Sequence, residues 1–250
     1  VATLTGFLTV VLCVWLLWKG NRGLKKVGVA AVFLVIFQGV LGGITVLYRL
    51  PTAISTAHLA TSMLFLCLMV AIAFWSFNPQ FTPSRTLSSL RPWLVGTLIA
   101  VYLQIVLGAL VRHTGAGLAC MDIPLCRGSL WPEGAPPILQ AHMLHRIFGS
   151  IVAILVFATS WRVYRTAEGI PALRRLALLA PFLVSLQIAL GLWSIHSALG
   201  LLPVTAHLGT GALLLVSLWL MNLILSRALR DPSGASKLSA ATSGLRPQGI

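Results

Sequence analysis

The chain has 250 residues, of which 58% are hydrophobic and only 9% charged. A soluble globular domain carries about 25% charged residues, and the mean hydropathy here is +0.94. These values exclude an ordinary soluble enzyme, a disordered chain and a disulfide-framed mini-protein, and they leave a membrane protein. The net charge of +14 does not indicate nucleic acid. The bases fall in short clusters between long apolar runs, as in membrane loops, and not on one face of a soluble fold.

Seven runs are long enough to cross a hydrocarbon core of about 30 Å as helices. In chain order they lie near 1–18, 27–48, 55–77, 92–111, 142–163, 173–194 and 204–226. The loop after the first run holds Lys19, Arg22, Lys25 and Lys26, and the next only Arg49. The third holds Arg85 and Arg91. The long fourth loop holds Arg112 and Arg127, with Arg146 just beyond it. The fifth holds Arg162, Arg165, Arg174 and Arg175, the sixth none, and the tail Arg227, Arg230, Lys237 and Arg246. Alternate connections thus carry 14 bases against four. The positive-inside rule places the richer set in the cytoplasm, with the first residue outside and the C-terminus inside. The Ser-, Ala- and Gly-rich tail over 229–250 is expected to be disordered.

Two segments repeat. Gln38-Gly-Val-Leu-Gly42 leads through Pro51 to Ala57-His58-Leu59. Gln187-Ile-Ala-Leu-Gly191 leads through Pro203 to Ala206-His207-Leu208. The Gln-to-His spacing is identical, so two spans of each half align without a gap. A third Gln-x-x-x-Gly runs from Gln104 to Gly108, in the first span of the second half. The second half shows four spans and the first three, so one helix and its following loop are expected ahead of Val1. The fold class is therefore an all-α polytopic membrane protein, with seven transmembrane helices of an expected eight in two parallel four-helix-bundle repeats. The units are an incomplete N-terminal repeat (1–80), a cytoplasmic linker (81–91) and a complete C-terminal repeat (92–228).

Ionisable side chains at membrane depth are costly and usually functional. His58 and His207 open a helix in each unit, and His145 opens the helix near 142–163. Imidazoles on neighbouring helices of a bundle can approach one iron from opposite sides, and His is a common axial haem ligand. The competing reading makes each a polar residue at the membrane interface. His142, one turn before His145, reads as interfacial, with a second ligand or proton relay as the alternative. His113 and His196 have no repeat counterpart and read as interfacial. Cys120 and Cys126 share the long outer loop, on the side where disulfides persist. A disulfide is the first reading; free thiols, a redox role and a zinc site with His113 or His142 stay open. Cys13 and Cys67 read as packing residues. Arg112 and Arg146 lie on the base-poor side, where they could hold an anion such as a haem propionate or simply anchor at the interface. The Gln side chains read as interhelical hydrogen-bonding groups, and Gly42, Gly108 and Gly191 as small residues that let helices approach. The four acids, Asp122, Glu133, Glu168 and Asp231, lie in loops or the tail. That argues against a transporter driven by buried carboxylates.

Gln104-Ile-Val-Leu-Gly108-Ala-Leu-Val111-Arg112, Thr114-Gly-Ala-Gly-Leu-Ala-Cys120, Pro124-Leu-Cys126 and His145-Arg146 together resemble the haem A synthase family of cytochrome oxidase assembly proteins. The resemblance runs from about 1 to 228. It implies eight spans in two bundles, each with a bis-histidine haem site. It implies haem b in the C-terminal unit on His145 and His207. In the N-terminal unit, haem O would have a ring methyl oxidised to a formyl group, with His58 as one ligand. The partner ligand, in a His-Arg motif, and a nearby Glu linked to catalysis are expected before Val1, so the 250 residues alone are expected to be catalytically impaired. Cys120 and Cys126 match the family's second-unit loop cysteines. Met121 and Ile123 depart from the Pro and Trp common there. Haem O synthase and cytochrome oxidase assembly factors are the expected partners, alongside membrane lipid; a homo-oligomer stays open. The inner (plasma) membrane is the implied compartment. A bis-histidine electron-transfer cytochrome and a repeat-built transporter are the competing classes; the outer cysteine loop favours the synthase.

Overall fold

In the computed structural model, residues 2–81 and 85–230 are described. The expected tail beyond 230 lies outside them, as does part of the expected linker. Among the described residues the architecture is seven long helices and two short 3-10 turns, with no strand. The helices are α1 (Ala2–Lys19), α2 (Arg22–Leu47), α3 (Thr52–Phe77), α4 (Arg91–His113), α5 (Pro137–Thr166), α6 (Pro171–His196) and α7 (Leu201–Arg230). All seven are long and apolar enough to cross a membrane. The chain is a multi-pass, all-α membrane protein.

Helix ends are set by local chemistry that hydropathy does not register. Asn21 caps α2, its side chain accepting from the Leu24 amide at 3.0 Å. The cap draws Lys25 and Lys26 into the helix rather than leaving them in a loop. Pro137 and Pro171 start α5 and α6, where the fixed φ of proline suits the first turn and its missing N–H costs nothing. Helix α5 therefore begins before His142, and His145 stands about two turns inside it rather than at its start.

The α2–α3 and α6–α7 turns share one geometry. Arg49-Leu50 and Ala198-Leu199 are both consecutive left-handed pairs. In each the second amide closes on a carbonyl five residues back, Leu50 on Thr45 and Leu199 on Ser194, both at 2.8 Å. Two left-handed residues without glycine are strained. Their recurrence at the same distance from Gln-x-x-x-Gly shows that both turns are held to one shape.

Helices α4, α5, α6 and α7 pack in a closed ring in that order, α7 returning to α4. Helices α5 and α7 thus occupy one diagonal, and α4 and α6 the other. The main apolar core lies in this bundle, around Leu94, Val156, Leu173, Leu215, Leu218 and Met221. The 3-10 turn Arg85–Leu90 seals one end with Leu87 and Leu90, both essentially inaccessible. Helices α1, α2 and α3 share a smaller core on Leu16, Ala31 and Ile72, and α3 packs against α4 and α7. Three hydrogen bonds tie α3 to the bundle. Tyr102 Oη donates to the Ala60 carbonyl at 3.2 Å, Trp219 Nε1 to the Cys67 carbonyl at 2.8 Å, and Thr52 Oγ1 to the His113 carbonyl at 2.9 Å.

Candidate functional site

The diagonal of the bundle brings together the two histidines of the second half. His145 is carried by α5 and His207 by α7, the two helices of one bundle diagonal. Each is half-buried. Each is held by a glutamine from the preceding helix in the ring. Gln104 of α4 donates through Nε2 to the His145 carbonyl at 2.9 Å, and the same nitrogen stands 3.0 Å from His145 Nδ1. Gln187 of α6 donates through Nε2 to the His207 carbonyl at 2.7 Å. His207 Nδ1 donates in turn to the Gln187 carbonyl at 3.0 Å. That bond places the ring proton on Nδ1 and leaves the Nε2 lone pair free, the state a ligating imidazole requires.

The glycines of the motif have a different role from the one their spacing implies. A Cβ added at Gly108 would stand 3.0 Å from His145 Cε1, and one at Gly191 would stand 3.3 Å from His207 Cε1. These positions make room for an imidazole, not for a neighbouring helix backbone. A second pair of glycines, four residues after each histidine, makes room for the glutamine. A Cβ at Gly149 would meet Gln104 Nε2 at 2.8 Å, and one at Gly211 would meet Gln187 Nε2 at 2.6 Å.

His58 of α3 is held the same way by α2. The Gln38 amide lies 2.8 Å from His58 Nδ1, and a Cβ at Gly42 would lie 3.4 Å from His58 Cε1. Here Ser62 stands where the other sites have glycine, and its hydroxyl contacts the Gln38 amide at 2.8 Å. Thr61 also hydrogen-bonds that amide. Helices α1 and α2 carry no histidine.

Cys120 and Cys126 form a disulfide, which removes both thiolates from any zinc site. No cluster of three metal-binding side chains occurs among the described residues. Arg146 reaches from α5 under this loop. Nη1 donates to the carbonyls of Asp122 and Leu125 at 2.6 and 3.2 Å, Nη2 donates to the Cys120 carbonyl, and Nε donates to His142 Nε2 at 3.1 Å. His142 Nδ1 donates to the Ala116 carbonyl at 2.7 Å. Both His142 nitrogens are therefore engaged in fastening the loop, and the residue is buried rather than at an exposed interface. Arg112 is exposed at the end of α4, His196 is exposed at the end of α6, and His113 is half-buried. None of the three joins the histidine pair through the hydrogen bonds found here.

The donor set fits a haem between α5 and α7. Two imidazoles are carried by the helices of one bundle diagonal, their Nδ1 edges are turned to protein groups, and their Cε1 edges rest on glycine. The neighbouring Gln104 and Gln187 oxygens are buried without a donor, a cost that a purely structural amide would not need to carry.

Residues 1–241 match the COX15-CtaA family, described as cytochrome oxidase assembly protein. The chain belongs to this family. COX15-CtaA relatives include a heme A synthase of Symbiobacterium thermophilum, 32% identical over 84% of this chain and 71% of the relative. Another, from Halalkalibacterium halodurans, is 30% identical over 91% of this chain and 78% of the relative. A third, from Shewanella oneidensis, is 28% identical over 86% and 71%.

Proposed function

We propose that the protein acts in haem A biosynthesis as a haem A synthase, oxidising the ring methyl of haem O to a formyl group for cytochrome oxidase assembly. The observation that carries this reading is the diagonal pairing of His145 and His207, with a glutamine and a glycine behind each ring, in a member of a family whose named relatives are heme A synthases. Their α4–α7 bundle is the proposed haem b unit, and the half containing α1–α3 is the proposed substrate unit, with His58 as one ligand to haem O. When bound, the haem supplies the redox chemistry. The protein supplies ligation, ring orientation and exclusion of water. His207 presents Nε2 because Gln187 accepts its Nδ1 proton. The apolar bundle core around Leu214 and Leu218 excludes water. Arg112 remains a candidate partner for a propionate. Arg146 is committed to loop carbonyls, so its proposed contribution is to fasten the disulfide loop to α5, the helix that carries His145. The proposed setting is a bacterial inner membrane with the cysteine loop outside and the C-terminus in the cytoplasm. Haem O synthase and oxidase assembly factors are the proposed partners.

A reduced-minus-oxidised spectrum of the purified chain, beside His145→Ala and His207→Ala, tests the haem b unit. A b-type signal in the parent that is lost in both variants is the expected result. A folded parent without haem would remove the central claim.

A further inference from the structure

We infer that Gln104 and Gln187 are positioning residues for the haem-ligating histidines, and that each acts together with two glycines as a single lock on an imidazole. The inference rests on the haem-binding reading above. Its basis is a recurrence that the chain order conceals. Gln104 and His145 are separated by the long outer loop, whereas Gln187 and His207 are joined by a short turn. Both pairs nevertheless converge on the same contact, a glutamine Nε2 donating to the backbone carbonyl of the histidine on the next helix, at 2.9 and 2.7 Å.

The same two small-residue positions recur around each contact. The glycine four residues after the glutamine receives the imidazole Cε1. The glycine four residues after the histidine receives the glutamine amide. Alanine at any of the four would place a carbon between 2.6 and 3.3 Å from the group it faces. At Gly149 and Gly211 that is closer than real Cβ atoms come, so the glutamine would have to leave its place. The lock fixes where each ring lies and which of its nitrogens faces protein. Nδ1 is turned towards the glutamine in both sites, directed to its backbone carbonyl at His207 and to its amide at His145. Nε2 is the nitrogen left for iron.

The two sites differ in one respect. At His207 an oxygen already accepts the Nδ1 proton. At His145 the atom facing Nδ1 is Gln104 Nε2, while Gln104 Oε1 is buried and unpartnered. Gln104 is thus the more critical of the two, because its side-chain amide is the group that meets Nδ1, whereas at His207 a backbone carbonyl does so and would survive loss of the side chain.

The test replaces the amides without emptying their space. Gln104→Met and Gln187→Met are close to isosteric and apolar, and both suit a membrane interior. Gly108→Ala is compared with Gly96→Ala, which lies on the same helix with open space at its Cβ. The readouts on the full chain are haem b retained per polypeptide and the electron paramagnetic resonance signal of the oxidised low-spin haem, which reports ligand-plane orientation. Loss of a ligand's outer partner weakens metal retention about 10- to 100-fold. Gln104→Met is expected to fall in that range with a shifted or broadened signal, Gln187→Met to shift less, Gly108→Ala to resemble Gln104→Met, and Gly96→Ala to match the parent. Methionine variants with parental haem content and an unchanged signal would overturn the positioning role while leaving the haem site intact. A parent that binds no haem would overturn both. Should Gly108→Ala fail to fold, the isosteric methionine variants decide the matter alone.

Discussion

Arg146 shows how one side chain can set a local structure that no motif records. Its guanidinium places donors on three backbone carbonyls of the cysteine loop and on His142, which itself holds the Ala116 carbonyl. Hydrogen bonds from a charged donor contribute about 1.5–3 kcal/mol each when well formed, and less where water competes. The disulfide encloses a short loop, and the chain-entropy argument gives it about 2 kcal/mol. The two devices hold the same segment, so their effects should not add. Arg146→Ala and Cys120→Ser are each expected to speed proteolysis after Arg127, and the double variant to be cut little faster than either single one. Arg146→Lys should not restore protection, because a compact ammonium cannot reach carbonyls in a planar fork. Additive acceleration in the double variant would show that loop and arginine are independent.

At the scale of helices, polar contacts between apolar surfaces join elements that hydropathy reads only one at a time. Asn222 of α7 is buried and donates to the Leu94 carbonyl of α4 at 3.1 Å and to its own helix at Leu218, 2.8 Å away. It helps close the ring by which α7 returns to α4. Interhelical hydrogen bonds in membranes contribute about 0.6 kcal/mol on average, with a ceiling near 1.7. Asn222→Leu is therefore expected to cost about 0.6 kcal/mol in detergent unfolding; a loss well above 2 would mean that the asparagine organises the bundle rather than trims it. The sequence makes the helices legible because each is a long apolar run, a requirement the bilayer imposes on every span separately. It makes His58 and His207 legible because their spacing repeats. It does not make the Gln104–His145 contact legible, since 41 residues and an irregular loop intervene, and no period relates α4 to α5. Nor does it reveal that Gly108 faces a ring, because a small residue in a membrane helix serves a backbone contact equally well by pattern. The start of α5 is missed for a simpler reason: Pro137 fixes it chemically in a stretch whose hydropathy is ordinary.

At the scale of the whole molecule, two signals support the proposed sidedness of the bundle. One is the distribution of bases, 14 on one side against four on the other. The other is the disulfide between Cys120 and Cys126, a bond that persists on the oxidising side. Both agree with the proposal that the long α4–α5 loop lies outside. In the proposed orientation the histidines lie towards the outer ends of their helices, since His145 and His207 both fall in the first third of α5 and α7. The opposite face carries Arg162 stacked over Trp93 at 4.6 Å and Arg174 over Tyr164 at 4.4 Å, cations anchored on aromatic rings at the level where such belts form. Alkaline phosphatase, active only outside the cytoplasm, reads the arrangement directly. Fused after Leu130, in the cysteine loop, it is expected to be active, and fused after Glu168, in the α5–α6 turn, to be inactive. The inverse pattern would put the disulfide in a reducing compartment and reverse the sidedness of the proposed haem site, and with it the face from which electrons must leave.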